Sequence, residues 1–284
     1  MKNIIINIIL FGLVSFPTFS VSQSLNTYSR DKNTCRILKD TVVAYFVFVD
    51  TKETIPWSEY DKKSTLDSIK RAMNWIENMA VKENINLCIK VNVLESSKPI
   101  YKTMPGKSLY GMLKKGDKYY TKWSNQIATQ VGYQLNISCR NKEKLMSHLR
   151  QKYQTGDVAL IYMINNYYKE EISVAFNTAS NNDIEFAVIS YKYPRVIAHE
   201  FLHLFGANDL YQTGRSKNKN VKFIQKNHPY EVMGNLPCKI ESMEMCPYTK
   251  YMIGWTDHLD KDYKKLCFVS KFKIRKKQTI NVRD

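Results

Sequence analysis

Between positions 199 and 209 the chain reads His-Glu-Phe-Leu-His-Leu-Phe-Gly-Ala-Asn-Asp, and these residue types at this spacing can do metal chemistry. Helical residues four apart lie one above the other, so His199 and His203 can aim ring nitrogens at a single ion. Glu200 stands beside that face, where it can hold a water and handle its proton without binding the metal. Gly206 follows the last helical turn. It accepts the left-handed conformation that reverses the chain and brings Asp209 round as a third ligand. Two imidazoles, a carboxylate and an open position describe a catalytic rather than a structural zinc site, with one Zn2+ as the expected cofactor. Only five histidines occur in 284 residues, so the spacing is a specific signal.

Such a helix needs a sheet to lie on. Thr41 to Val49 is a continuous β-branched and aromatic run, the pattern of a buried strand. Leu66, Ile69, Met73, Ile76 and Ala80 recur at helical spacing and predict an amphipathic helix over 64–82. A second strand at 86–94 completes a strand-helix-strand unit that should close as a parallel pair. Residues 95–118 hold two prolines and three glycines and read as a loop. Helices near 120–131 and 145–149 follow, then a buried strand at 158–164, an alternating edge strand at 172–177 and a strand at 184–191. The expected fold is therefore α/β (or α+β): a five-stranded, mixed but mostly parallel, twisted sheet, with Pro194 opening the metal helix. No repeat or low-complexity linker divides the chain.

The bulk properties frame these elements. A short apolar run, Ile4 to Phe16, stops at Pro17 and is followed by the small residues Ser20-Val-Ser22, so a signal peptide over 1–22 and a secreted or periplasmic protein are expected. Residues 23–40 read as an irregular segment, and 41–284 as one catalytic domain. Six cysteines without a Cys-x-x-Cys pair suit disulfides in an oxidising compartment, with Cys238–Cys246 the preferred local bridge. Cys35 is either a disulfide partner or a ligand to the metal in a latent form. Asn136-Ile-Ser138 is a glycosylation sequon. The net charge of +17 comes largely from dispersed lysines and from runs at 215–222 and 261–277, without a nucleic-acid motif. No nucleic-acid partner is expected; attraction to acidic surfaces or substrates is the functional alternative to a solvated face.

Downstream, Glu231-Val-Met233-Gly234 forms a tight turn thirty residues past His203, and Tyr248 to Trp255 reads as a helix ending at Gly254. With these in place the chain resembles the metzincin clan of zinc peptidases, marked by an extended zinc helix and a later Met-turn. The stretch His199 to Tyr211, then Val232-Met-Gly, then Tyr251-Met-Ile-Gly-Trp255, is most similar to the immune inhibitor A family of secreted bacterial peptidases, with snapalysin-like enzymes as a second candidate. The specific likeness covers about residues 184–256. It implies His199, His203 and Asp209 as zinc ligands, Glu200 as catalytic acid/base and Met233 as the Met-turn residue. It also implies an upper subdomain, 41–206, and a smaller lower one, 207–284, beyond the zinc helix. The chain departs from most metzincins in placing Asp209 where they carry a third histidine. Were Asp209 to face away, Glu231 could serve instead, in a thermolysin-like arrangement. Tyr211, Tyr230 and Tyr251 are candidate donors to an oxyanion. The expected function is a secreted zinc endopeptidase, expected to act as a monomer on protein or peptide substrates. The rival is an exported basic binding protein with a purely structural zinc.

Overall fold

The computed structural model describes residues 35, 37–52, 54–94, 99–102, 117–132, 141–165, 173–176, 184–190, 192–212, 217–234 and 238–266. The expected signal peptide, the sequon at Asn136 and the basic run from 267 onward lie outside them. Among the described residues no helix is long and apolar enough to cross a membrane.

Among the described residues six strands form one sheet: β1 (Asp40–Asp50), β2 (Leu87–Val93), β3 (Ile100–Tyr101), β4 (Val158–Ile164), β5 (Ser173–Phe176) and β6 (Phe186–Ile189). The order is β2-β1-β4-β6-β5, and β3 continues the edge of β1 beyond β2. β1, β2, β3, β4 and β6 pair in parallel, whereas β5 runs antiparallel to β6 at the margin. The sheet therefore has one strand more than the five expected. β3 was read as loop because it is two residues long and is made a strand only by pairing with Val49 and Asp50.

Both faces of the sheet are buried, which is why its strands read as unbroken apolar runs. Alternation along each strand sorts the side chains. Val42, Ala44, Phe46 and Phe48 of β1, with Ala159, Ile161 and Met163 of β4, join one core cluster. Val43, Tyr45, Val47 and Val49, with Val158, Leu160, Tyr162 and Ile164, join the other. The first cluster takes in helices α1 (Glu59–Lys82) and α4 (Pro194–Leu204); the second takes in α2 (Asp117–Gln130) and α3 (Asn141–Tyr153). On that second face Trp123, Tyr162 and Phe186 meet edge to face at centroid distances of 5.2 and 5.6 Å.

Helix α1 starts five residues before the expected position 64 because Ser58 caps it, its hydroxyl accepting the Asp61 N–H at 3.1 Å. Its buried face, which includes Ile69, Met73, Ile76 and Ala80, is the one the periodicity marked, and it packs against α4. After α4 come α5 (Asn218–Asn227), a 3-10 turn at Ile240–Ser242, α6 (Pro247–Met252) and α7 (Lys261–Lys264). This last part is tied to the start of the chain. Leu38 donates its N–H to Ile253 O at 2.9 Å and accepts the Trp255 indole N–H at 2.7 Å.

The cysteines depart from expectation. Cys35, Cys88, Cys238 and Cys246 are free thiols, so the Cys238–Cys246 bridge is not formed. Cys246 instead lies buried 3.7 Å from the Thr249 hydroxyl, and the Cys35 thiol donates to Val158 O at 3.3 Å rather than joining the candidate metal group. Cys139 and Cys267 lie outside the described residues.

Because β4 is the central strand and Ile161 is fully buried in it, Ile161→Ala should cost about 2–5 kcal/mol, read by chemical denaturation. A loss below about 1 kcal/mol would contradict this packing.

Candidate metal centre

Helix α4 begins one short connection after β6. Pro194 occupies its first turn, where a missing N–H costs nothing, and Tyr193 before it is extended. The helix ends in a paired reversal: Gly206 N–H bonds to His203 O at 3.0 Å and Ala207 N–H to Leu202 O at 3.2 Å, with Gly206 at φ 95°. This is the Schellman geometry, and it needs a residue that tolerates positive φ. The reversal turns the chain back so that Asp209 faces the helix it has just left.

Three ligand atoms converge there. His199 Nε2 and His203 Nε2 lie 3.1 Å apart, and each is 3.2 Å from Asp209 Oδ1. Their tautomers are fixed from behind. His199 Nδ1–H donates to Val232 O at 3.0 Å and His203 Nδ1–H donates to Ala207 O at 2.7 Å. A neutral imidazole that donates from Nδ1 carries a bare lone pair on Nε2. Two such lone pairs and a carboxylate oxygen thus face one point, a repulsive arrangement that a cation relieves. Zinc bonds of about 2.0–2.1 Å at tetrahedral angles would set neighbouring donors about 3.3 Å apart. The observed triangle fits that spacing, and the two backbone carbonyls are the outer-shell acceptors such ligands use. His199, His203 and Asp209 are also the only described His/Cys/Asp/Glu group of this kind.

The electrostatics follow the geometry. Burial works to raise the Asp209 carboxyl, but hydrogen bonding and positive charge at the two ring nitrogens, which a proton or a cation held between them supplies, outweigh it and hold the carboxyl well below the ordinary carboxylate range. Glu200 behaves in the opposite way. It is 5% exposed, and burial pushes its carboxyl up to about 7, a rise that Asp209 reinforces and that His199 and the Ala175 N–H oppose. That N–H belongs to the edge strand β5. Among the described residues Glu200 Oε2 has no hydrogen-bond partner, which leaves a buried carboxyl oxygen unsatisfied.

Of the three candidate tyrosines, Tyr211 is the one with a described contact to this centre. Its phenol donates to Asp209, its ring lies 6.1 Å from that of His199, and burial together with the two neighbouring carboxylates raises its pKa well above the ordinary phenol value. Tyr230 is about half exposed, and Tyr251 is buried in α6. The chain offered no means of choosing among them; the hydrogen bond to Asp209 does.

Glu231 is not a ligand. Its carboxylate is buried and spent on the turn beside it. Oε1 accepts the Met233 N–H at 3.1 Å and the Thr249 hydroxyl at 2.7 Å, and Oε2 accepts the Cys246 N–H. Burial raises its pKa against the pull of these donors. Glu231 therefore does not supply the third ligand of a thermolysin-like arrangement, and what sequence reasoning missed is a buried acid holding the 231–234 turn in shape. The signal was an acid placed directly before Val-Met in an apolar setting. The turn closes with Gly234 N–H to Glu231 O at 2.9 Å, and a Cβ on Gly234 would lie 2.9 Å from that same oxygen. Val232 O from this turn orients His199, and Met233 O accepts the Leu210 N–H at 2.9 Å, next to Asp209. Met233 is fully buried in the cluster that includes Phe201, Ala207 and Leu210. No protein-family model matches this chain, and neither does any of the curated proteins compared with it.

Two substitutions test these supports. Glu231→Ala strands two buried N–H groups and a hydroxyl and should cost about 3 kcal/mol or more, read as a lowered denaturation midpoint. Gly206→Ala forces a Cβ into positive φ and should cost about 1–2 kcal/mol and weaken zinc binding, read by competition with a chromogenic chelator; unchanged affinity would show that the reversal does not set Asp209.

Proposed function

We propose that this chain is a zinc-dependent endopeptidase of metzincin-like build, exported from the cell, that hydrolyses peptide bonds in proteins or peptides. The observation that carries the reading is the convergence of two imidazole lone pairs and Asp209 on one point, with the unbonded oxygen of the buried Glu200 alongside. His199, His203 and Asp209 would hold the ion. Bound there, a zinc ion supplies Lewis acidity, making a water more acidic and a carbonyl more electrophilic.

The rest is work for the chain. Glu200 takes the proton of the attacking water on the oxygen that no protein group occupies, and returns it to the nitrogen of the leaving amine. The Ala175 N–H steadies the carboxylate while it does so. Tyr211, protonated throughout, turns its one O–H from Asp209 to the oxygen that gains charge as the carbonyl is attacked. β5 is the margin of the sheet among the described residues and reaches Glu200 through Ala175, so its outer side can pair with an extended substrate backbone. A structural zinc would have no use for a buried, half-satisfied glutamate, which sets this reading above the rival of a non-catalytic binder.

Glu200→Ala should keep zinc content and the denaturation midpoint while lowering kcat on casein or a quenched peptide by about 10³-fold or more. An active Glu200→Ala protein would overturn the mechanism. Asp209→Ala should lose zinc on dialysis that the parent survives, measured by elemental analysis, and a chelator should abolish hydrolysis until zinc is restored.

A further inference from the structure

Helix α5 is inserted between two segments of the metal centre: it follows Asp209 and Tyr211, and it leads within five residues to Val232, the acceptor for His199. Its inner face is anchored by Asn220, Val221 and Ile224, and Asn220 Nδ2 donates to Lys265 O at 3.0 Å. Its outer face is basic. Lys217, Lys219, Lys222 and Lys226 are all exposed, and residues 217–227 contain no acid.

This charge is placed where it destabilises the helix. Lys217 and Lys219 sit at the N-terminal end, where the helix dipole is already positive, and Lys217 provides no side-chain cap. Lys219, Lys222 and Lys226 follow at three- and four-residue spacing, so like charges stack along one stripe. No acid relieves them. None of the four lysines makes an ion pair among the described residues; nearby Asp262 pairs with Lys265 at 3.9 Å, Asp260 with His258 at 3.0 Å and Glu244 with His228 at 3.7 Å. The helix also exposes no large apolar side chain, so it lacks what an amphipathic helix would insert into lipid. Phe223 is instead covered by Lys265, whose ammonium stands 3.6 Å from the ring centroid.

We propose that the outer face of α5 is a docking surface for an acidic polypeptide segment, carried by the substrate at a distance from the bond to be cut. The assignment of that segment to a substrate rests on the hydrolase reading; the docking itself does not. Charge complementarity would raise the encounter rate and hold the substrate beside the centre, and salt would screen it.

Binding is measured by fluorescence anisotropy with a labelled oligomer of D-glutamate, which resists hydrolysis, on the full zinc-supplemented chain. The parent should bind at about 0.05 M salt and lose at least about tenfold in affinity at about 0.5 M. Combining Lys217→Ala, Lys219→Ala, Lys222→Ala and Lys226→Ala should weaken binding at low salt by about tenfold or more while leaving the denaturation midpoint equal or higher, since like charges are removed. Equal binding by parent and variant would overturn the proposal. So would capture of anionic vesicles through these lysines with no binding of the acidic oligomer, which would make the face a membrane contact. In a second arm, a cleavable peptide with a glutamate-rich extension should show a higher kcat/KM than its unextended core for the parent and not for the variant. Lysine-dependent binding without hydrolysis of either peptide would leave the docking surface standing and bring down the hydrolase reading.

Discussion

Everything in the centre depends on two backbone carbonyls. Val232 O and Ala207 O each accept an Nδ1–H, and by doing so they turn the Nε2 lone pairs of His199 and His203 toward the Asp209 oxygen. Neither carbonyl is incidental. Ala207 belongs to the glycine-dependent reversal that ends α4, so the element that delivers Asp209 also fixes the tautomer of His203. Val232 belongs to the turn at 231–234, whose Met233 carbonyl holds Leu210. The metal helix, the reversal and the later turn therefore form one hydrogen-bonded unit, and a fault in any of them would reach all three ligands.

Two buried glutamates in that unit show how environment divides labour between identical side chains. Burial raises the carboxyl of both. Glu231 has its oxygens committed to Met233, Thr249 and Cys246, which makes it a brace. Glu200 has one oxygen without a partner and the other near an edge-strand N–H, which makes it a group with unspent capacity beside the ligands. A buried polar oxygen left unbonded costs stability. Here it lies next to three converging metal donors, and that juxtaposition is what the proposed chemistry uses.

Much of this was legible in the chain because the strongest signals are local. The spacing of His199 and His203, the glycine at 206 and the apolar runs of β1 and β4 each follow from helix or strand periodicity, and each took the expected place. What escaped depends on contacts distant in sequence. β3 exists only through its partner strand, α1 begins early because of a cap rather than a stripe, and Glu231 could be a ligand or a brace until Thr249 and Cys246 were seen around it. Tyr211 stood equal with Tyr230 and Tyr251 until its hydroxyl was found against Asp209. The Cys238–Cys246 pairing misled because spacing along the chain says nothing of where thiols point.

The most direct test is an anomalous-scattering crystal structure of the zinc-supplemented protein, recorded on both sides of the zinc absorption edge. The account predicts a single strong peak about 2.0–2.2 Å from His199 Nε2, His203 Nε2 and an Asp209 oxygen, with Glu200 outside the coordination sphere. No peak there, or one that draws Glu200 in as a ligand and closes the open position, would contradict it.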